Sequence, residues 1–311
     1  MRSANNGLHT SRAGQAQQST SMTFYQGQSL ADAVREATAV LSDAGVPSPR
    51  VDAELLADHL LGVGLGRLRA MMLGDSPAPE GYGELVEERA GRVPLQHITG
   101  VAYFRHLELR VGPGVFIPRP ETESVVQLVI DHLLGIPHPK VVDLGTGSGA
   151  IAGSIAYEVP GAEVHAVEYS TLAHAWAARN LEPLGVLLIE GDLRDALPEH
   201  NGTFDVVVSN PPYIPAEAIP TEPEVALHDP PEALYGGGAD GMVLPTAAAA
   251  SAARLLKPGG YFVMEHAEVQ AAWIAGMLQR TGRWNNVTTH YDLNGKERAT
   301  SATLASPSPD E

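Results

Sequence analysis

The chain has 311 residues, a net charge of −17 and an apolar fraction of 44%, enough for one large globular domain or two small ones. The acidic balance argues against a protein that binds duplex DNA or RNA, which usually presents a basic face, although it leaves a basic protein partner open. Cysteine is absent, which excludes disulfides and thiolate metal sites and fits a reducing cytoplasm. The longest apolar runs are too short or too polar to span a bilayer, so we predict no membrane association. We also predict no metal site.

The first part of the chain is predicted to consist of a disordered extension and a small helical domain. Residues 1–23 are rich in Ser, Gln, Asn, Ala and Gly without periodicity, which predicts disorder. Residues 24–92 are predicted to contain four short helices, the first capped by Ser29 and the second opened by Pro49. This domain is interpreted either as a partner-recognition module or as a structural unit with a solvated surface.

In residues 93–118 the pattern changes to short stretches of alternating residues, which predicts a β-hairpin linker. Residues 101–104 and 107–111 form its two strands, and residues 115–117 form a further short extended piece. Arg119 follows between two prolines, and Glu121 lies in the first turn of the next predicted helix. These two residues are interpreted either as part of a structural linker or as the rim of an active site.

From residue 119 to residue 305, strands and helices alternate. This alternation predicts an α/β fold, namely a Rossmann-like, mostly parallel seven-stranded sheet covered by helices on both faces. The tail over 306–311 is polar and predicted to be frayed. The predicted strands cover residues 140–144, 163–168, 186–190, 204–209 and 261–265, the predicted helices 149–159, 170–181, 240–256 and 268–281, and a closing antiparallel pair 284–292 and 298–304.

A glycine-rich loop lies between the first predicted strand of this sheet and the helix that follows. Glycines let a backbone turn tightly and approach a ligand closely, and the helix start adds free N–H groups. The same spacing also satisfies the dinucleotide fingerprint, so the loop alone leaves a nicotinamide cofactor and S-adenosylmethionine both open. The candidate cofactor-binding residues in this loop are Gly145, Thr146, Gly147, Ser148 and Gly149.

Acidic residues end the next two predicted strands. Glu168 ends the second strand, where its carboxylate can accept hydrogen bonds from both hydroxyls of a ribose. Asp192 follows the third strand, where it can accept a hydrogen bond from an adenine amino group. Two such residues beside a glycine-rich loop favour a ligand that contains adenosine.

The most informative stretch is Asn210-Pro211-Pro212-Tyr213, which follows a predicted buried strand. Asn210 lies at the carboxyl edge of the sheet, where open α/β folds bind their ligands, and the prolines take the chain out of the sheet. The Asn210 amide oxygen and the Pro211 carbonyl are two neighbouring acceptors, which suit a planar –NH2 group. A simple turn is the alternative interpretation of Asn-Pro.

Taken together, these motifs resemble those of class I S-adenosylmethionine-dependent methyltransferases that act on planar amino groups. Further stretches are similar to the peptide chain release factor glutamine methyltransferases, the HemK/PrmC family, and the resemblance covers nearly all of residues 29–304. One departure is that Ala267 and Ala271 replace glycines usual in that family. The further stretches are Leu95-Gln96-His97-Ile98-Thr99-Gly100, Pro118-Arg119-Pro120-Glu121-Thr122-Glu123, Glu224-Val225-Ala226-Leu227-His228-Asp229-Pro230 and Gly238-Ala239-Asp240-Gly241.

The resemblance implies S-adenosylmethionine as cofactor and S-adenosylhomocysteine as its product. It implies that residues 145–149 and Asn210 contact the cofactor, that Glu168 binds the ribose, and that Asp192 and Leu193 lie at the adenine. It also implies that Asn210 and Pro211 hold a glutamine amide, with Pro212 and Tyr213 completing the substrate pocket. The implied substrates are peptide chain release factors 1 and 2, methylated by a cytoplasmic monomer on the glutamine of their Gly-Gly-Gln motif, which modulates translation termination.

Three other activities fit part of the sequence. A ribosomal-protein glutamine methyltransferase shares the chemistry, but the Arg119-Pro120-Glu121 stretch favours the release factor group. A DNA adenine-N6 methyltransferase fits Asn210–Tyr213 but not the net charge of −17. A nicotinamide-dependent dehydrogenase fits the glycine-rich loop and leaves Asn210 without a role.

Overall fold

The structure is a computed structural model that describes Tyr25 and residues 27–306. The disorder predicted for residues 1–23 and most of the predicted polar tail lie outside the described residues. The chain divides into two compact units, with the boundary between Thr99 and Gly100. Within the described part of the chain, no helix combines the length and the apolar composition that a membrane crossing requires.

The first unit is entirely helical. Ser29 caps the first helix by accepting a hydrogen bond from the Asp32 N–H, and the unit packs around an apolar core that includes Leu30, Leu41 and Leu56. The fifth of its helices is short and is absent from the prediction of four. The helices are α1 (Leu30–Asp43), α2 (Pro49–Leu61), α3 (Leu65–Met71), α4 (Tyr82–Ala90) and α5 (Leu95–Thr99).

The second unit contains the hairpin and a seven-stranded sheet. The hairpin strands β1 and β2 are antiparallel, and their buried residues share one apolar core with the sheet. The predicted domain boundaries at residues 92 and 118 stay a prediction. The strands are β1 (Val101–Phe104), β2 (Leu107–Arg110), β3 (Lys140–Leu144), β4 (Glu163–Glu168), β5 (Leu187–Glu190), β6 (Phe204–Ser209), β7 (Leu256–Glu265), β8 (Trp284–Tyr291) and β9 (Glu297–Leu304).

The strand order in the sheet is β5-β4-β3-β6-β7-β9-β8, with β5 to β7 parallel and β9 antiparallel to both β7 and β8. This arrangement confirms the predicted fold class, including the closing antiparallel pair. The remaining helices are α6 (Glu123–Leu133), α7 (Ala150–Glu158), α8 (Thr171–Leu181), α9 (Pro223–His228), α10 (Pro231–Leu234), α11 (Val243–Leu255) and α12 (Ala271–Arg280).

Helices cover both faces of the sheet because the parallel strands are apolar on both sides. Val206 and Val208 point into one apolar core together with Val126 of α6, whereas Val207 points into a second core with Ala248 of α11. Two layers of helices therefore hold the sheet rigidly, and the loops at its edges are free to carry function.

Some predicted elements differ in detail. Residues 115–117, predicted as a short extended piece, pair with no strand, and Val115 and Ile117 are buried in the core that the hairpin shares with the sheet. The predicted helix over 240–256 begins only at Val243. Strand β7 begins at Leu256 instead of residue 261, because Leu256 pairs with Phe204 across an irregularity that accommodates Pro258 and two glycines.

Candidate active site

The glycine-rich loop connects β3 to α7 at the carboxyl edge of the sheet. Gly145 and Gly147 have positive φ angles of 78° and 58°, which residues with a side chain rarely adopt. A Cβ at either position would meet no atom within 4 Å. The loop therefore leaves an open surface beside its backbone. Gly149 has another role: a Cβ there would lie 2.7 Å from Leu181, so the missing side chain lets α7 pack closely on α8.

Asp143 supports this loop from below and was not predicted as a site residue. It is completely buried at the end of β3, where it accepts hydrogen bonds from the Thr146 hydroxyl at 2.6 Å and the Ala152 N–H at 3.2 Å. Its second oxygen, Oδ1, makes no hydrogen bond among the described residues. Burial raises the pKa of Asp143 to about 7. The loop is thus tied to a carboxyl group that titrates near neutrality.

Glu168 faces the loop from the end of β4. One carboxylate oxygen accepts the Gly147 N–H at 2.7 Å, and the other accepts the Ser170 N–H at 2.7 Å. Burial raises the pKa of Glu168, while these backbone donors oppose the rise. Each carboxylate oxygen can accept a second hydrogen bond. The side chain is therefore fixed in place and retains acceptor capacity for a hydroxyl-bearing ligand.

Asp192 lies on the same wall but is already paired within the chain. Both of its oxygens accept hydrogen bonds from the Arg194 guanidinium at distances up to 3.0 Å, and this interaction lowers the pKa of Asp192. Leu193 is buried beside it. An adenine amino group that reached Asp192 would therefore share this carboxylate with Arg194, a partner that the sequence pattern did not indicate.

Asn210 follows β6, whose end is fixed to the end of β3 by a hydrogen bond of 2.6 Å from the Ser209 hydroxyl to the Leu144 carbonyl. Within the described part of the chain, the Asn210 side chain makes no hydrogen bond, and the residue is only partly buried. A rigidly placed amide with unused hydrogen-bonding capacity at a cavity wall is available to a ligand.

The backbone after Asn210 is held by its neighbours. The Gln270 side chain donates to the Tyr213 carbonyl at 2.8 Å, and the Ile214 N–H donates to the Leu234 carbonyl at 2.8 Å. Gly241 packs so closely that a Cβ there would lie 2.2 Å from the Tyr213 carbonyl oxygen. These contacts therefore fix the backbone of this stretch, which forms part of the cavity wall.

The two alanine departures are accommodated around the same residue, Gln270. Ala267 has φ −70° and ψ 148°, and Ala271 has φ −54° and ψ −52°, ordinary conformations for an L residue. The Ala267 N–H donates to the Gln270 side-chain oxygen at 3.2 Å. The added methyl groups therefore leave the contact between Gln270 and Tyr213 in place.

Arg119 links two walls of the cavity. Its guanidinium forms an ion pair of 3.0 Å with Asp229 and lies 5.1 Å from the centre of the Phe116 ring. Burial raises the pKa of Asp229 to about 6, and the Arg119 charge opposes that rise. Glu121 also lines the cavity. Whether these two residues form the rim of an active site stays a prediction.

One cavity of about 800 Å³ brings the candidates together, and Gly149 is the one predicted site residue that does not line it. Sequence reasoning missed three residues behind or beside Tyr213, namely Thr122, Glu265 and Arg298. Glu265 had the same signal as Glu168, since it ends a parallel strand. The predicted residues that line the cavity are Arg119, Glu121, Gly145, Thr146, Gly147, Ser148, Glu168, Asp192, Leu193, Asn210, Pro211, Pro212 and Tyr213.

Comparisons with known proteins cover both units. Residues 32–100 match the family model of the PrmC N-terminal domain, and residues 106–253 match that of the methyltransferase small domain. The release factor glutamine methyltransferase of Streptomyces coelicolor is 49% identical over 88% of this chain and 98% of its own. The 4-amino-L-phenylalanine/4-methylamino-L-phenylalanine methyltransferase of Streptomyces pristinaespiralis is 40% identical over 85% of this chain and 92% of its own.

Among solved structures, the catalytic domain of hMettl16 in complex with a MAT2A 3′UTR hairpin matches with a TM-score of 0.52. It is 13% identical and covers 73% of this chain and 83% of that one. At this level of identity the likeness concerns the fold alone, and it agrees with the sheet described above.

Proposed function

The chain belongs to the family of release factor glutamine methyltransferases, and from this premise we propose how its cavity transfers a methyl group to a glutamine side chain. The observation that carries the proposal is the Asn210 amide, unbonded within the described chain and fixed in the same cavity as the glycine-rich loop. An amide acceptor beside an adenosine site is what methylation of a planar –NH2 group requires.

The residues of the loop fit S-adenosylmethionine. The open backbone at Gly145 and Gly147 suits close approach of a ligand, and the fixed carboxylate of Glu168 suits the two ribose hydroxyls. Leu193 and Asp192 form the wall for the adenine. When bound, S-adenosylmethionine supplies a methyl group on a positively charged sulfur. The chain's residues then have to orient the acceptor nitrogen.

The glutamine amide is held by two acceptors of the chain. The Asn210 side-chain oxygen and the Pro211 carbonyl each accept one N–H of the substrate amide, which orients the nitrogen lone pair for attack. Bound S-adenosylmethionine would supply the methyl group to this nitrogen and leave as S-adenosylhomocysteine, and the methylated nitrogen would release one proton to solvent. Positioning of this kind lowers barriers by up to roughly 7–11 kcal/mol. We assign no general base, because the proton leaves only after the nitrogen has become positively charged.

The same acceptors account for selectivity. A glutamate in place of the glutamine would direct its carboxylate oxygens at two carbonyl oxygens, which is repulsive. A site built for a donor rejects an analogue that lacks it by about 10⁴-fold. The pocket is therefore expected to accept the amide and to reject the acid.

The finer assignments are part of the proposal. We propose release factors 1 and 2 as the substrates, recognised in part by the helical unit of residues 30–99, with the enzyme acting as a cytoplasmic monomer without direct nucleic acid contact. The net charge of −17 supports a protein partner over a nucleic acid.

The test is the intact mass of a purified release factor after incubation with this protein and S-adenosylmethionine, followed by peptide mapping. We expect one added methyl group on the glutamine of the Gly-Gly-Gln motif, and none on a factor in which that glutamine is glutamate. Parallel reactions contain ribosomal proteins, DNA or 4-amino-L-phenylalanine, the last because of the relative from Streptomyces pristinaespiralis.

Two outcomes would contradict the proposal. Methylation of 4-amino-L-phenylalanine in place of the release factor would retain the cofactor assignment and overturn the substrate. Failure to bind S-adenosylmethionine in calorimetry would overturn the assignment of the glycine-rich loop as well.

A further inference from the structure

The Tyr213 side chain lies against a cluster of polar residues that the proposed reaction does not use. Its phenol interacts with Glu265 at the end of β7 and with Arg298 in β9. Glu265 pairs with Ala299 across these strands, and the charge of the neighbouring Arg298 acts on the Glu265 carboxyl group. Thr122, in the segment that precedes α6, lies near the same carboxyl group. Three separate elements therefore meet behind one wall of the cavity.

Glu265 is the buried centre of this cluster. It is 3% exposed, and its Oε2 atom makes no hydrogen bond among the described residues, nor does the Thr122 hydroxyl. Burial raises the pKa of Glu265 to about 7, while the charge of Arg298 opposes the rise. Arg298 is itself shared with Asp292, at 3.2 Å. The carboxyl group therefore has incomplete pairing inside the protein.

In contrast to Glu265, a second buried carboxylate in the same sheet has a partner for each of its two oxygens. Asp205, near the start of β6, accepts the Lys140 N–H at 2.8 Å with one oxygen and pairs with Lys257 through the other. A carboxyl group buried without such pairing lowers stability. Fold stability alone therefore does not explain Glu265, and its position behind Tyr213 indicates a role in the cavity.

We propose that Glu265 is a positioning residue for methyl transfer: its carboxylate accepts the Tyr213 hydroxyl and so fixes the tyrosine ring against the bound amide. The positive charge of Arg298 favours the charged form of this carboxylate, and the Thr122 hydroxyl, which makes no hydrogen bond in the described chain, is a further donor beside it. Gln270 already holds the Tyr213 backbone, so the ring is the part that still needs a fixed orientation. This inference rests on the proposed function, because it assigns Tyr213 to the substrate pocket.

The test is a double-mutant cycle in the full chain with Glu265→Gln, Tyr213→Phe and both together. The measurements are kcat and KM for the release factor, the Kd of S-adenosylmethionine and the temperature of unfolding. Asp205→Asn is the matched control, since it makes the same change at a buried carboxylate at the opposite edge of the sheet. We expect Glu265→Gln to lower kcat about 10-fold or more, with cofactor Kd within about 3-fold of wild type. The control should keep wild-type kcat.

The cycle separates a positioning role from a structural one. If Glu265 acts through the Tyr213 hydroxyl, the double variant is no slower than the slower single variant. Effects on kcat that multiply, or a wild-type kcat in Glu265→Gln, would overturn the inference. If the wild-type protein binds cofactor but does not methylate the release factor, the proposed function fails instead, and the two failures are distinguishable.

A pH profile provides a readout that a purely structural role would not change. The charged and titratable groups that face Glu265 are Glu121, Tyr213 and Arg298, the last paired with Asp292. The carboxylate is the better acceptor for the phenol, so wild-type kcat should rise with pH through the neutral range. Glu265→Gln should lose this rise, and an identical rise in the variant would contradict the proposal.

Discussion

Carboxyl groups at the two edges of the parallel sheet differ in their pairing and in the direction of their pKa shifts. At the amino edge, Glu163 pairs with Lys140 at 3.1 Å and with His165 at 2.7 Å, and these partners lower the pKa of its carboxyl group. At the carboxyl edge, burial raises the pKa values of Asp143 and Glu265 to about 7. Each of these two has an oxygen without a hydrogen bond among the described residues.

The difference follows from what each edge has to bind. The Glu163 carboxylate at the amino edge is paired within the chain, so its interactions are complete before any ligand arrives. At the carboxyl edge, the Glu168 carboxylate and the Asn210 amide line the cavity and keep acceptor capacity for a ligand, although Asp192 is already paired with Arg194. Strongly perturbed pKa values cluster at functional sites for this reason. Changes at the carboxyl edge should therefore affect activity, and changes at the amino edge should affect only stability.

The largest effect is expected at the substrate amide. Asn210→Ala removes one of two proposed acceptors, and turnover should fall about 10²–10³-fold, as for loss of one preorganised hydrogen-bonding group in other enzymes. Cofactor affinity should stay within about 3-fold, because the loop and Glu168 are unchanged. Steady-state kinetics on the release factor and calorimetry measure the two quantities. Wild-type turnover in this variant would remove Asn210 from the mechanism.

The second prediction concerns pH and stability. Asp143 has a folded-state pKa of about 7, well above its ordinary value of 3.8, so the folded chain binds more protons than the unfolded chain between those pH values. Its contribution therefore lowers the free energy of unfolding as pH rises through this window, by about 2–4 kcal/mol. Asp143→Asn should remove that part of the decrease.

Urea denaturation at pH 5 and pH 8 measures this difference for the wild type and the variant. Asn keeps an oxygen for Thr146 and Ala152 and replaces the oxygen that has no hydrogen bond. An identical change with pH in both proteins would show that Asp143 is charged in the fold across the whole range.

A smaller effect is expected at the ribose wall. Glu168→Gln directs an –NH2 group at one of two backbone donors, Gly147 or Ser170, and removes the charge that strengthens hydrogen bonds to a ribose. Cofactor binding should weaken by about 1.5–3 kcal/mol, which calorimetry measures. Glu190→Gln is the matched control, because Glu190 is exposed at the end of β5 and does not line the cavity. Equal losses in both variants would refute a specific role for Glu168.

The smallest effect is expected at the amino edge. Glu163→Gln removes a partly exposed charge from Lys140 and His165, and the free energy of unfolding should change by about 1 kcal/mol or less. Turnover should match the wild type at all substrate concentrations. A clear loss of turnover would break the distinction between the two edges.

Much of the fold was predictable because it depends on local patterns. Continuous apolar runs predict buried strands, and Lys140–Leu144 and Phe204–Ser209 lie where the sequence places them. The burial of Val115 and Ile117 was not predictable, because tertiary packing buries these apolar residues without any strand partner. The early start of β7 was missed for a related reason, since Pro258 and two glycines look like a turn until a neighbouring strand pairs across them.

In the candidate site, too, features that depend on local pattern were predictable and features that depend on tertiary contacts were not. The residues at strand ends, such as Glu168 and Asn210, were predictable because parallel strands bring their carboxyl ends to one edge. The pairing of Asp192 with Arg194 and of Arg119 with Asp229 was not, because a side chain's partner depends on rotamers and on loops that meet only in the fold.

The sequence by itself determined the class of fold, the loop that suits the cofactor and the amide that suits the substrate, because glycine spacing, strand ends and proline restrict the backbone locally. The tertiary structure alone decided which carboxyl groups are buried and unpaired. Glu265 ends β7 and Asp205 lies near the start of β6, and no local pattern shows whether either carboxyl group is paired in the fold. Their difference arises from what packs around them: Lys140 and Lys257 complete the pairing of Asp205, whereas Glu265 is buried beside Tyr213 with one oxygen that no described residue binds.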